Sequence, residues 1–471
     1  MLTSRLQLLL LIIFFCSVTV FSQTTSPQYT ITELGDFTAR ALNNSASVVG
    51  SMGNRAVLFR NGVITDITPA DGVIAEANQL NDRDQVVGQV FFCDMVGGNC
   101  VNGRTRAFIF DRGTSTVLGT LGGRDSQALG INNAGQVVGW SHTAGATPGV
   151  SGDEHAFIFQ NGIMQDIGTQ ATSRGTRASN INQSGQVSGW GSASSSGTSD
   201  NGAFLYTGGT FQFFAQSGIA WDINNAGQVV GAMGGNDDGS RQAFLFSGGV
   251  LQDLGNFSQN INAQAFAINN AGQIVGLSSP SFLSSSGEQA FVFSAGVMQN
   301  LNNLIAANSG WALSRAVDIN DAGQIVGNGF KNGQPRAFLL TPTQPLLITE
   351  PNSTKAIVLE SIVFVRDPFT LLTRHFLSPD RRTRLTILAQ NIEIIPGENI
   401  PPPTVQGENA QHQLIDLPVE FVGKVPGATW LTQITVRLPD QLNTAGEIQL
   451  RISYRDRTSN NASFTLTATN P

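Results

Sequence analysis

Residues 131–139 read INNAGQVVG, and the chain writes that phrase again at 223–231, as INNAGQIVG at 268–276, and in altered form as INQSGQVSG at 181–189 and INDAGQIVG at 319–327. With the weaker copies at Leu42-Asn43 and Leu80-Asn81, it occurs seven times, roughly 40 to 50 residues apart. A catalytic motif is needed once. A phrase repeated at this period belongs to a structural unit that tiles space.

A second phrase follows each copy, and a third follows six of them. One is AVLF (56–59), AFIF (107–110 and 156–159), AFLY (203–206), AFLF (243–246), AFVF (290–293) or AFLL (337–340). The other is VITDIT (63–68), VLGTLG (117–122), IMQDIG (163–168), FQFFAQ (211–216), VLQDLG (250–255) or VMQNLN (297–302). Each unit therefore predicts four short strands. Asn-x-x-Gly between apolar runs is a hairpin turn, with the Asn side chain bonding back to the backbone and Gly taking positive φ. In Ala156-Phe157-Ile158-Phe159 both alternating faces are apolar, so the strand is buried on both sides. Such strands suit four-stranded sheets stacked between similar neighbours.

The seventh unit ends at AFLLTPTQP (337–345) without its last strand, while YTITELGDF (29–37) stands alone before the first unit and resembles the missing piece. A complementary half-unit at each end closes a ring. The expected fold is all-β: a seven-bladed β-propeller over 28–342, a Pro/Thr linker at 343–354, and an immunoglobulin-like β-sandwich over 355–471, where the repeat stops and six or seven alternating apolar runs follow.

The paired phrases at 131–139 and 155–159 resemble the bacterial HAF repeat, an extracellular repeat, over about 29–340. His155 is the one histidine in its slot; the other copies carry Arg55, Arg106, Gly202, Gln242, Gln289 and Arg336. The resemblance thus brings no catalytic histidine and no assigned reaction. The stretch from Trp430-Leu431-Thr432-Gln433 through Leu438-Pro439 to Thr458-Ser459-Asn460 looks like a C-terminal immunoglobulin-like domain appended to exported acidobacterial proteins. That resemblance implies a spacing, docking or adhesive role.

Arg5, the apolar run LQLLLLIIFF (6–15) and small residues near Ser22 make 1–22 a signal peptide, so the mature chain is expected to be secreted, at the cell surface or periplasmic, with no transmembrane helix. Cys93 and Cys100 then form an even pair expected to close a disulfide loop, since Cys-x6-Cys without a nearby His is a poor metal set. The net charge of −7 offers no basic stripe for nucleic acid.

Nothing in the chain spells an enzyme. The four histidines, His142, His155, His375 and His412, lie in no metal-ligand spacing, and no Gly-x-Ser-x-Gly, P-loop or His-Glu-x-x-His occurs. No cofactor or metal is implied. The acidic pairs Asp153-Glu154 and Asp237-Asp238 read as solvated loop charge, although two carboxylates could do glycosidic chemistry across a propeller mouth and Gly235-Asn236-Asp237-Asp238-Gly239 could offer oxygens to Ca²⁺.

The loops 89–104, 140–154, 190–201, 232–241 and 277–288, with 169–178 and 303–315, vary while the other turns stay uniform. One face is therefore diversified on a rigid scaffold, as a binding surface is. On it the sequence places Trp140, Trp190, Trp221 and Trp311, with Arg104, Arg124, Arg174, Arg177, Arg241 and Arg315 and Asp94, Asp125, Asp153 and Asp237 nearby. Rings, Arg and Asp suit carbohydrate, while packing at strand ends is the competing role of each Trp. The expectation is a monomeric, non-catalytic binding or structural protein for a glycan or cell-surface protein. The alternative is a secreted glycosidase or lyase using the propeller mouth.

Overall fold

Every position of INNAGQVVG has a physical duty in the computed structural model. The asparagine is buried, and its backbone closes the turn: Asn132 N–H donates to Gln136 O (3.1 Å) and Gly135 N–H to Asn132 O (3.0 Å). Its Oδ1 accepts from the backbone N–H of Ala134 (3.1 Å) and Gln136 (3.0 Å), and its Nδ2 donates to Gln136 Oε1 (2.7 Å). Gly135 supplies the left-handed backbone at φ +80°. The two valines are fully buried. The final glycine is required by close approach: a Cβ on Gly139 would fall on the carbonyl oxygen of Gln127 in the neighbouring strand. The same collision awaits a Cβ on Gly50, Gly88, Gly189, Gly231, Gly276 and Gly327. Opposite these glycines stand the buried Phe108, Phe157, Phe204, Phe244, Phe291 and Phe338, with Val57 in the first unit.

The model describes residues 28–467 apart from 98, 146–153, 169–174, 193–200, 235–239, 258–259, 271, 282–286, 295, 344, 348–354, 357, 361–368, 371–379, 381, 393–400, 426–427, 443–445, 456 and 461. The expected signal peptide at 1–22 lies outside these residues. Within them the repeats form seven four-stranded antiparallel sheets. Their first strands are Thr38–Leu42, Ile74–Leu80, Gly122–Ile131, Thr176–Ile181, Ile219–Ile223, Asn262–Ile268 and Trp311–Ile319. The seventh sheet takes its fourth strand from the other end of the repeats: Tyr29–Gly35 pairs antiparallel with Gln334–Pro342.

Apolar cores join consecutive sheets. Val87 and Ala107 of the second sheet share one with Ala128, Ile131 and Phe157 of the third. Val138 and Ala156 of the third share the next with Ala178, Ile181 and Val187 of the fourth. Ala156 and Phe157 thus serve opposite neighbours, which is why that strand is apolar on both faces. The last core joins Val326, Ala337 and Leu339 of the seventh sheet to Ala39, Leu42, Val48 and Val57 of the first.

The repeat asparagines add a cyclic chain of hydrogen bonds. The Nδ2 of Asn43 donates to the backbone oxygen of Asn81, Asn81 to Asn132, Asn132 to Asn182, Asn182 to Asn224, Asn224 to Asn269, Asn269 to Asn320, and Asn320 back to Asn43, all at 3.0–3.1 Å. The next residues repeat the circuit at the surface, where the Asp321 N–H donates to Asn44 Oδ1 and the Asn44 N–H to Asp82 Oδ1.

The C-terminal region forms two further sheets, one of five strands and one of six, around a single core that includes Leu385, Ile387 and Ile434 of one sheet and Val405, Ile452 and Phe464 of the other. Leu346–Leu347, inside the expected linker, pairs with Arg384–Gln390 of the five-stranded sheet. Among the described residues no helix is long and apolar enough to cross a membrane.

Two stability outcomes follow. Asn224→Ala removes two donors and two acceptor contacts in a buried turn, and denaturant unfolding should show a loss of about 2–4 kcal/mol, against under about 1 kcal/mol for the exposed Asn225→Ala. Gly139→Ala forces a methyl group into a strand carbonyl and should cost about 3 kcal/mol in the same assay.

Candidate functional site

In each of the seven first strands the pairing slips by one residue at the same place, between the buried alanine four before the ring asparagine and the residue two before it. The slip is a β-bulge, which leaves one residue unpaired and re-aims its side chain. The seven bulged residues are Arg40, Asn78, Leu129, Ser179, Trp221, Phe266 and Val317, and all of them line one cavity of about 570 Å³. Thr38, Gln127, Arg177 and Arg315, two positions earlier, line it too, with Trp190 and Asn328 from second strands. A smaller recess of about 150 Å³ lies at the level of the asparagine turns. Gln79, Asn180, Asp222 and Asp318, each two before its asparagine, line both spaces and so form a waist between them.

The bulge frees the backbone N–H just before each asparagine, and the waist residues accept it. Gln79 Oε1 accepts from Leu80 N–H (2.9 Å) and Asn180 Oδ1 from Ile181 N–H (2.9 Å). A carboxylate has a second oxygen and reaches further. Asp222 accepts from its own Ile223 (2.8 Å) and from Ile268 of the next sheet (2.8 Å), where the equivalent residue is Ala267. Asp318 likewise accepts from Ile319 (2.8 Å) and from Leu42 of the first sheet (2.8 Å), where the equivalent residue is Ala41. Asn180 Nδ2 also donates to Asp222 Oδ1 (2.5 Å).

Burial disfavours the ionised form of both acids. It pushes the Asp222 carboxyl up to about 6, against the opposing pull of its hydrogen bonds from Ile268, Ile223 and Asn180. Burial, and then the neighbouring charge of Asp222, raise Asp318 well above the usual carboxylate range. The cavity's arginines are matched elsewhere: Arg40 to Glu76 (2.9 Å), Arg177 to Glu154 through two contacts (2.5 and 2.8 Å), and Arg315 to Glu288 through two (2.5 and 2.6 Å). Arg177 is also sandwiched, its guanidinium 4.6 Å from the Trp140 ring centre and 5.1 Å from that of Trp190.

The tryptophans singled out in the sequence therefore part company. Trp190 and Trp221 face the cavity, and Trp140 adjoins it through Arg177, with its own N–H on Gln127 Oε1 (2.9 Å). Trp311 instead packs edge-on to the buried Phe338 at 5.9 Å. Arg104 lies on the hairpin of Val86–Val96 and Asn99–Asp111, beside Phe92 and Asp94. Cys93 and Cys100 are bonded across that hairpin. Arg241 begins Arg241–Ser247 and is not among the cavity residues. Arg174, Asp153 and the acidic loop 235–239 lie outside the described residues, as do parts of the variable loops at 146–153, 169–174, 193–200 and 282–286. His155 bonds Asp166 at 2.7 Å on the wall of its own sheet. Among the described residues no group of three or more His, Cys, Asp or Glu is placed to hold a metal.

Asp222 and Asp318 escaped the sequence reading. The signal was there: within the frame Ala-x-x-Ile-Asn, with Leu for Ile at 42 and 80, the position two before the asparagine is Ala41, Gln79, Gly130, Asn180, Asp222, Ala267 and Asp318. A polar residue in a first strand, two before a repeated turn, lines the cavity.

A family model described as a protein of unknown function, DUF3466, matches residues 125–338, from the third sheet to the seventh. No curated protein matches the chain. Among solved structures the chain is similar to an acylaminoacyl peptidase from Pyrococcus horikoshii in an orthorhombic crystal form, with a TM-score of 0.41 and 9% identity over 78% of this chain and 52% of that one. The chain thus spans about half the length of that structure. A likeness so remote carries neither a fold nor an activity across.

The raised carboxyl of Asp222 sets a pH dependence. Below the ordinary carboxylate range both states hold the proton and its burial is fully tolerated. As pH climbs toward 6 the unfolded chain ionises first, so stability is lost through that window. Against Asp222→Asn, which cannot ionise, the unmodified protein should lose about 2 kcal/mol between pH 4 and pH 6.5, read from denaturant midpoints at each pH.

Proposed function

We propose that the seven sheets are blades of a β-propeller of the HAF-repeat kind, closed by the N-terminal strand and followed by an immunoglobulin-like sandwich. On this reading the protein is exported and non-catalytic, and it binds a glycan of a cell surface or matrix. The observation that carries the reading is the axial cavity, whose wall combines Trp190, Trp221 and Phe266 with Asn78, Gln79, Gln127, Asn180 and Asn328. Aromatic faces stack on sugar rings and amides satisfy hydroxyls in both directions. The cavity opens at the N-terminal ends of the inner strands, the end at which the variable loops enter, so loop content would tune what reaches it.

A second reading has one observation in its favour. Asp222 and Asp318 are paired carboxyls at the axis with raised proton affinity, the feature a glycosidase acid needs. Each is also committed to two backbone N–H groups of adjacent sheets. That scaffold duty explains both residues without a reaction, and the binding role is therefore preferred.

The test is a glycan-array screen of the full mature chain with Trp221→Ala beside it. Saturable binding should appear and weaken about tenfold or more on loss of one stacking ring. Release of shortened sugars from a bound oligosaccharide, abolished in Asp222→Asn, would favour the enzyme instead.

A further inference from the structure

The charges in the cavity wall do not balance. Of its five charged side chains, Arg40, Arg177 and Arg315 each hold a glutamate that is not part of the wall. Among the described residues Asp222 and Asp318 meet no cation: both accept from backbone N–H groups, and Asp222 also from the Asn180 amide. A ligand entering this space therefore meets two acids with no cation of their own and three cations already neutralised. It also meets the ring of Trp221. Trp221 stands edge-on to Phe266 at 6.4 Å, and both line the space above the two acids.

Resting on the reading of this cavity as a glycan site, we infer that its ligand is an amino sugar bearing a free ammonium group, seated against Trp221 with the ammonium toward Asp222 and Asp318. Each part of the wall selects for that chemistry. A neutral sugar would leave the acids uncompensated, and a uronic acid would add like charge beside them. An ammonium donates to carboxylate oxygens, which keep lone pairs beyond those taken by the backbone, and it is attracted to the tryptophan faces as well. Arg177 between Trp140 and Trp190 shows that this wall already receives a cation on its rings.

The experiment is calorimetric titration of the full mature chain at neutral pH with a tetrasaccharide of glucosamine and, separately, the tetrasaccharide of N-acetylglucosamine, which differs by masking the ammonium. The glucosamine oligomer should bind about tenfold tighter, the lower end of what close charge pairs contribute at interfaces. In Asp222→Asn the two affinities should converge, through loss on the glucosamine side. Equal binding of both sugars by the unmodified protein overturns the ammonium inference and leaves the glycan reading standing. Binding of neither, with no response on the glycan array, overturns both. The comparison on unmodified protein decides the matter even where Asp222→Asn fails to fold.

Discussion

One side-chain amide per repeat ties the molecule together. The ring asparagine uses its oxygen to close its own turn, one amide hydrogen to hold the following glutamine (Asp84 in the case of Asn43) and the other to reach the next repeat's backbone. No other side chain meets that demand. Aspartate lacks the donors, and glutamine carries the same groups one carbon too far from a turn this tight. The outward bond is polar, directional and buried at each step, so leaving it unmade costs the desolvation of a donor and an acceptor. Apolar packing between sheets supplies cohesion without direction. The asparagine cycle supplies the direction, and with it the height at which each sheet meets the next.

What that cycle fixes, the bulges exploit. Each first strand slips by one residue after its buried alanine and is paired again before the ring asparagine. The slip turns a side chain toward the axis without disturbing either anchor, so the lining residue can vary from Arg40 to Trp221 to Val317 on a constant frame. The waist residues work under a tighter rule, because each must also answer for a freed backbone N–H. The axial acids are thus structural members and surface features at once, and ligand chemistry here is constrained by what the scaffold already requires of them.

The frame was legible in the sequence because it is repeated. Asn-x-x-Gly announced the turn, Ala156-Phe157-Ile158-Phe159 announced burial on both faces, and 29–37 read as a strand lacking its sheet. The site was less legible for a physical reason. A bulge breaks strict alternation, so counting residues by twos assigns the lining positions to the wrong face, and Asp222 looks like one more strand residue. The tryptophans were visible, but sequence proximity could not separate Trp221, turned inward by its bulge, from Trp311, which packs on Phe338 in the core between two sheets.

The two carboxylates that reach across to a neighbour have a consequence for how the chain finds its order. Asp222 and Asp318 are each followed, one sheet on, by an alanine that makes no acceptor of its own. Were near-identical repeats to dock out of sequence, an aspartate would face a neighbour already served and an alanine would face one with nothing to offer. Repeat proteins are prone to such misassembly because their units resemble one another. Here the two reaching carboxylates act as keys cut into the inner edge of the fifth and seventh units, each matched by the alanine unit that follows it.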